Sequence, residues 1–368
     1  MNLKYTNIDE IYCNFEFDEE KNTILIYNNE KIESIPYEVV PTLNSEYQPA
    51  DFDMQLLENQ TEDNSENSIF CVYADKIRVG WIFPIQALLS KEHEYADNIH
   101  FLKYAYVAIC KLLDQIDEKN IHDFKTCFSL LDFYRPEQQV LLIDKENASK
   151  IVYYNIDNYV VSLFSKGYSF VGKGNIYTII DKIDKNIRLV SLPSDLKEVS
   201  YINTLFKNLV PVEMEGFAKF HLLYQIIEIM ITVVFKAEFL QFIEQLKKSS
   251  EKIFNEKENL DNIVGEKNRV KWLMNNYTSI SQDKKDILNS YCIKILDINS
   301  CKYSDEEMSN NLYGVRCLIV HNLYVLDSYS YDEILPDLNN AFLDVIINML
   351  QTFAIPSMEQ KKSNNIIS

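Results

Sequence analysis

The hydrophobic periodicity of the chain changes near Pro211, and this change constrains the fold more than any other feature. Before it, apolar residues come in short alternating runs, as in "NTILIYNNEKIESIPYEVV" near the N-terminus, which is typical of antiparallel strands and a hairpin. After it, apolar residues recur at helical spacing. The sequence therefore predicts an α+β protein, with a mixed, mostly antiparallel sheet domain over residues 1–210 and an all-α bundle over residues 211–356. Residues 357–368 are expected to be a frayed tail.

Several segments of the N-terminal part have individual predictions. Residues 69–85 predict two strands joined near Asp75, and residues 97–117 have the spacing of an amphipathic helix. Residues 48–68 are acidic and rich in Asn and Ser, which favours a mobile loop. The remaining strand-like runs are "QQVLLID", "KIVYYNI", "YVVSLF", "GYSFVG", "IYTIID" and "IRLVSL".

The C-terminal part is predicted to be a bundle of four or five helices. The charged stretch over residues 250–268 is interpreted as a loop with short turns. Helical patterns cover residues 212–249, 267–275, 282–298, 305–322 and 330–353.

The negative net charge of the chain limits how it can bind nucleic acid. The net charge is −19, whereas a groove that holds RNA or DNA by bulk electrostatics needs a basic face. Any contact with RNA must therefore be local, or be assembled from two chains.

Cysteine use and hydropathy indicate a cytoplasmic protein without a cofactor or metal. The 7 cysteines are scattered, with no CxxC pair and no spacing suited to zinc. The N-terminus lacks the apolar core of a signal peptide. The most apolar segment, residues 220–239, contains His221, Gln225, Glu228 and Lys236, so no membrane span is predicted.

The segment "LYGVRCLIVHN", residues 312–322, contains one of five arginines and one of five histidines. Residues five apart lie about 140° apart around a helix, so Arg316 and His321 are not on one face as an i,i+4 pair would be. A purely structural interpretation is that Arg316 pairs with an acid while His321 caps the last carbonyls of the helix.

Arg-x4-His in a late helix of an all-helical segment resembles the active-site motif of HEPN domains, the higher eukaryote and prokaryote nucleotide-binding domains. The upstream "FHLLYQIIEIM", with Tyr224 and Glu228, resembles the first long helix of that family. The residue after the family's arginine is often Asn, Asp or His, whereas here it is Cys317. The resemblance covers only the C-terminal part of the chain.

The resemblance implies a metal-independent endoribonuclease. His321 would act as base or acid, because histidine changes charge near neutral pH, and Arg316 would stabilise charge on phosphate oxygens. Asn322 and Glu228 would support the pair. The family implies a site shared by two chains, hence a homodimer or larger homo-oligomer that binds RNA.

The same resemblance suggests a biological role. The protein would be an effector of bacterial antiviral defence by abortive infection, or the toxin of a toxin–antitoxin pair with a regulatory or antitoxin protein as partner. Residues 1–210 would sense a trigger or hold the nuclease inactive. The alternative is a non-catalytic HEPN-like dimerisation, scaffold or regulatory binding protein, which the acidity and Cys317 favour.

Other chemically suggestive residues have simpler interpretations. "FVGKGN" (170–175) lacks the spacing of a phosphate loop and predicts a hairpin turn. Asp144 is interpreted as part of a turn rather than as a metal ligand. His93, His100 and His122 have no partner at catalytic or ligand spacing and are predicted to lie on the surface or on a helix face.

Overall fold

The chain divides into two compact units. The first comprises the described residues up to Ile156, with 166–170 and 186–190, and the second comprises 157–165 and the described residues from 191 onward. The computed structural model describes the strands at 5–6, 12–18, 23–28 and 34–38, and residues 48–60, 65–90, 92–115, 130–170, 186–197, 199–214, 216–248, 256–303, 307–321, 331 and 333–356.

The first unit contains two sheets. A four-stranded antiparallel sheet joins strands in chain order: β1 (Tyr5–Thr6), β2 (Tyr12–Asp18), β3 (Thr23–Asn28) and β4 (Ser34–Glu38). The strands of the second sheet are β5 (Phe52–Asn59), β6 (Phe70–Ala74), β7 (Ile77–Pro84), β8 (Gln139–Asp144), β9 (Tyr168–Ser169) and β10 (Asn186–Leu189).

The six-stranded sheet has the order β10-β6-β7-β8-β5-β9. Its β10 and β6 are parallel, and the other neighbouring strands are antiparallel. The prediction of a mixed, mostly antiparallel sheet is therefore confirmed.

The turn between β6 and β7 lies where the sequence predicted it. Asp75 and Lys76 both have left-handed backbone conformations, with φ of 47° and 70°. Two left-handed central residues give a turn whose twist matches that of the flanking strands. The predicted helix is also present as α1 (Ile99–Asp114), which contributes Phe101 to a core built around Trp81.

Three predictions for the first 165 residues are wrong. Residues 52–59, interpreted as loop, form β5, which lies inside the sheet between β8 and β9. "KIVYYNI" is not a strand: it follows the short helix α2 (Lys145–Ser149) as a turn that leads into a 3-10 helix. "YVVSLF" forms the buried helix α3 (Val160–Ser165). A short apolar run has no periodicity that distinguishes a buried helix from a strand.

The described part of the second unit is helical, with no strand. Residues 191–208 add α4 (Ser194–Lys197) and α5 (Ser200–Asn208) to α3. The later helices are α6 (Gly216–Lys248), α7 (Glu256–Val264), α8 (Glu266–Trp272), α9 (Gln282–Ile298), α10 (Met308–His321) and α11 (Leu335–Thr352). A π-helical segment, Leu273–Tyr277, follows α8 directly. The chain is therefore an α+β protein, as predicted.

The second unit differs from the predicted bundle in two respects. The stretch interpreted as a loop contains α7 and the start of α8. Among the residues of these two helices whose burial the structure describes, Ile263 and Val270 are the buried ones, so the apolar stripe is thin. Residues 157–165 and 191–210, which precede the predicted boundary, also belong to this unit, where α3 packs on α11. No helix in the described part of the chain is long and apolar enough to span a membrane.

His93 is buried, although the sequence suggested a surface position, whereas His100 is exposed as predicted; His122 lies outside the described residues. The Tyr95 backbone N–H donates to His93 Nδ1 at 3.2 Å, and His93 Nε2 lies 3.1 Å from the Ala87 carbonyl oxygen. Since Nδ1 accepts, the proton is on Nε2, which donates to Ala87. This arrangement needs a neutral ring, and burial lowers the pKa of His93 below 6.5.

We expect His93 to make the stability of the protein depend on pH. A lowered folded-state pKa means that its contribution is present above the unfolded-state pKa and is lost as pH falls through the folded-state value. The free energy of unfolding, from urea denaturation at pH 7.5 and pH 5.5, should fall on acidification, and His93→Gln should reduce that fall. His100→Gln is the control. If the free energy of unfolding changes equally between the two pH values in wild type and in His93→Gln, folding does not lower the pKa of His93 and the prediction is wrong.

Candidate functional site

Arg316 and His321 come together at the C-terminal end of α10. Arg316 Nη1 lies 3.4 Å from His321 Nε2, close enough for the guanidinium to donate to the imidazole. The two residues are five positions apart, but the long arginine side chain spans the angular separation along the helix. The His321 residue is exposed, whereas the Arg316 side chain is only 15% exposed.

Two carboxylates from other helices contact the second terminal nitrogen of the guanidinium, Nη2. Arg316 Nη2 donates to Glu228 Oε1 of α6 at 3.2 Å and lies 3.6 Å from Glu266 Oε1 of α8. Burial acts to lower the pKa of Arg316, but the hydrogen bond to Glu228 and the charge of Glu266 outweigh it, so the pKa is raised. The guanidinium therefore stays charged, with its Nη2 beside two carboxylates.

The Tyr224 ring lies against the guanidinium of Arg316. The guanidinium carbon lies 5.5 Å from the centre of the Tyr224 ring, within the range of a cation–π interaction. The Tyr224 hydroxyl lies 3.4 Å from Glu266 Oε1, to which it donates. The ring itself is buried, and burial followed by the nearby carboxylate of Glu266 raises the pKa of its hydroxyl. Tyr224 is therefore a neutral donor that helps to place Glu266.

Cys317, the residue at which the sequence departs from the family pattern, also lies on α10. Cys317 and Tyr313 are both partly exposed on the helix, one turn apart. Burial, followed by a hydrogen bond with the Cys317 thiol, raises the pKa of the Tyr313 hydroxyl. Cys317 thus contacts a tyrosine and does not add a charged or amide group beside Arg316.

The structure brings together three of the four predicted site residues: Arg316, His321 and Glu228. Asn322 lies outside the described residues. Sequence reasoning missed Glu266, because it assigned that stretch to a loop and because a contact between residues 50 positions apart leaves no local pattern. Gly265 before Glu266 was the available signal for a helix start, but it carries no information about the partner of Glu266.

The arrangement has the parts of a phosphate-binding and proton-transfer site. Arg316 offers Nη1 on the side of the exposed His321, while its Nη2 edge is occupied by carboxylates. A guanidinium can hold phosphate oxygens through two parallel N–H groups, and an imidazole can take up or release a proton. The carboxylates of Glu228 and Glu266 reduce the net positive charge that the site exposes to solvent.

Comparisons with known proteins give no match: no family model fits the chain, and no curated protein or solved structure is similar to it. The function is therefore inferred from the residues and their geometry.

Proposed function

We propose that the protein is a HEPN-type, metal-independent endoribonuclease. The observation that carries the proposal is the 3.4 Å approach of Arg316 Nη1 to His321 Nε2 at an exposed helix end. Arginine beside histidine supplies charge stabilisation and proton transfer at one place, which are the two needs of RNA cleavage without a metal.

The reaction is transesterification by the ribose 2′-hydroxyl. His321 takes the 2′-OH proton while the O2′–P bond forms, and Arg316 stabilises the negative oxygens of the phosphorane. The P–O5′ bond then breaks, and the leaving oxygen receives a proton from the protonated imidazole or from water. The products are a 2′,3′-cyclic phosphate and a 5′-hydroxyl end.

Glu228 and Glu266 act on this chemistry by orienting Arg316. Their two carboxylates engage Nη2, which leaves Nη1 toward His321 and toward a bound phosphate. We place two chains at the functional site, since a second Arg/His pair would supply positive charge that one acidic chain lacks. In the cell the enzyme would be a cytoplasmic effector of antiviral defence or a toxin, with the first unit as its regulatory part.

A second candidate function is a non-catalytic dimerisation or scaffold protein. The ion pairs of Arg316 with Glu228 and Glu266 favour it, because they give Arg316 a structural partner of the kind that the simpler interpretation predicted. In that case Arg316 and His321 contribute to stability alone.

RNA cleavage in excess EDTA distinguishes the two functions. Purified protein with total RNA or a tRNA pool should give fragments with 2′,3′-cyclic phosphate and 5′-hydroxyl ends. His321→Ala should lower the cleavage rate by about 10²-fold or more, because it removes the proton-transfer group. His100→Ala is the matched control, since His100 is also exposed but lies on α1 in the other unit.

Unchanged cleavage by folded His321→Ala, or cleavage that requires a metal ion, would contradict the proposal. Absence of cleavage by the wild-type protein, in every oligomeric state isolated and with no toxicity on expression, would favour the scaffold function.

A further inference from the structure

A second exposed histidine lies near the candidate catalytic pair, on α6. His221 precedes Glu228, the α6 residue that accepts a hydrogen bond from Arg316, by two helical turns. Residues seven apart in a helix lie on the same face, so His221 is on the face of α6 that carries Glu228 toward α10. The face of α6 that contacts the arginine thus also carries an exposed imidazole.

The helices α8 and α10 run in opposite directions. Glu266, the first residue of α8, contacts Arg316 in the second half of α10. Lys271, near the end of α8, contacts Glu307, one residue before α10 begins. The contacts advance along α8 while they go back along the chain of α10, so the two helices are antiparallel.

The helix α6, in contrast, is parallel to α8. The Tyr224 hydroxyl lies 3.4 Å from Glu266 Oε1. Further along both helices, the Arg269 guanidinium lies over the Phe235 ring, at 5.5 Å from the ring centre. Because α6 is parallel to α8 and α8 is antiparallel to α10, α6 and α10 are antiparallel.

His221 and His321 therefore lie at about the same height in the helical unit. Arg316 contacts α6 at Tyr224 and Glu228. His321 follows Arg316 by five residues, which is a rise of about 7.5 Å along α10. The same rise in the opposite chain direction, taken from the midpoint of residues 224 and 228, ends at His221 on α6. Beyond the Arg316 contact, each of the two helices thus carries one exposed histidine.

A chain of polar side chains supports the His221 ring. Gln225 Nε2 lies 3.5 Å from His221 Nε2, and the Tyr201 hydroxyl of α5 donates to Gln225 Oε1 at 3.4 Å. An amide offers an N–H to a bare ring nitrogen and, after rotation, a carbonyl oxygen to a protonated one. Gln225 can therefore contact the imidazole in both protonation states, and His221 Nδ1 has no hydrogen-bond partner among the described residues.

We propose that His221 is the general acid of the cleavage reaction, the group that gives a proton to the leaving 5′-oxygen; this inference rests on the proposed ribonuclease function. Cleavage needs a base and an acid, and the single imidazole of His321 can fill both roles only in succession. A second histidine can carry the other proton near neutral pH. An imidazolium at this place also brings positive charge to a site in which one guanidinium faces two carboxylates.

Two protons are transferred in the proposed step. His321 takes the proton of the 2′-hydroxyl as the O2′–P bond forms. The His221 imidazolium gives its Nδ1 proton to O5′ as the P–O5′ bond breaks. The products are the 2′,3′-cyclic phosphate and the 5′-hydroxyl end, with His321 protonated and His221 neutral. Proton exchange with water then restores both rings.

A substrate with a better leaving group tests the assignment of His221. The probes are a short RNA oligonucleotide that contains a cleavage site mapped in total RNA, and the same oligonucleotide with sulfur in place of the bridging 5′-oxygen at that site. A thiolate is a much weaker base than an alkoxide and leaves without a proton, so the sulfur substrate needs the base but not the acid. Single-turnover cleavage rates of the full-length protein are measured in excess EDTA.

His221→Gln should cleave the ordinary RNA about 10²-fold or more slowly than wild type, the usual contribution of a proton-transfer group. On the sulfur substrate the same variant should be nearly as fast as wild type, whereas His321→Ala should be slow on both substrates. His100→Gln is the matched control, since His100 is an exposed histidine of the other unit. Because His221 is exposed, its variant should be as stable as wild type in urea denaturation.

The assignment of His221 is overturned if His221→Gln cleaves the ordinary RNA at the wild-type rate. It is also overturned if the variant is equally slow on both substrates, which is the result expected of a residue that only binds RNA. Both results leave the ribonuclease function in place, because the wild-type protein still cleaves. If the wild-type protein cleaves no RNA, the ribonuclease function is contradicted, and the assignment of His221 with it.

Discussion

Replacing Arg316 by alanine is expected to lower the rate of RNA cleavage by about 10³-fold. In the proposed mechanism Arg316 stabilises the charge on the phosphorane, and loss of such a donor typically costs this much. The same change leaves Glu228 and Glu266 without their cation, so the free energy of unfolding should fall by about 1–3 kcal/mol. Single-turnover cleavage and urea denaturation measure the two effects.

The variant Arg316→Lys distinguishes the effect on the cleavage rate from the effect on stability. Lysine keeps a positive charge between the two carboxylates, so the free energy of unfolding should stay near that of wild type. Its ammonium lacks the planar set of donors with which arginine can bind the carboxylates and a phosphate at the same time. Cleavage should therefore remain strongly impaired. Arg269→Ala is the control, because the Arg269 guanidinium lies over the Phe235 ring and forms no ion pair with a described residue. Full activity of Arg316→Lys would assign Arg316 a purely ionic role.

Replacing Gly80 by alanine is expected to destabilise the first unit by about 3 kcal/mol or more. A Cβ at this position would lie 1.9 Å from the Leu142 carbonyl oxygen and 3.1 Å from the Ile143 Cα. Both are backbone atoms of β8, which pairs with β7 inside the sheet. Neither can move aside as a flexible side chain can, so the two strands must separate. Chemical denaturation followed by circular dichroism gives the change in free energy.

Gly265→Ala provides the comparison for Gly80. The nearest atom to a Cβ at residue 265 is the Asn268 side-chain nitrogen at 3.4 Å, which is ordinary contact. The free energy of unfolding should change there by less than about 1 kcal/mol. A Gly80→Ala protein as stable as Gly265→Ala would mean that β7 and β8 can move apart at little cost.

The predictable parts of the fold are those with long, regular patterns. The sequence predicted α9 with its observed ends, and it predicted α1, α10 and α11 within a few residues, because each repeats apolar residues over several turns. The failures are short or acidic segments: β5 was obscured by its acidic residues, and α3 is too short to show a helical period. Tertiary burial, not local preference, decides the state of such segments.

The candidate site was predicted in part: the sequence identified Arg316 and His321 on α10 and, through the family resemblance, Glu228 on α6, but it missed Glu266. Arg316 and His321 are near in sequence, and their shared helix could be recognised from its pattern. The orientation of Arg316 depends on Glu266 and on Tyr224, which reach it from other helices. Sequence order holds no information about such long-range contacts, and the burial of His93 escaped prediction for the same reason.

The helix α3 has a consequence for synthesis of the chain. All of its residues are buried, and it packs on α11, which begins about 170 residues later. At ribosomal speeds of roughly 5–20 residues per second, α3 would wait on the order of 10–30 s for that partner to be made. During this interval α3 can pack on α5, through Phe164 and Phe206, but lacks the surface that α11 later provides. Interrupted translation should therefore yield aggregation-prone nascent chains that need a chaperone, even though the first unit, up to its last strand β10, has already been synthesised.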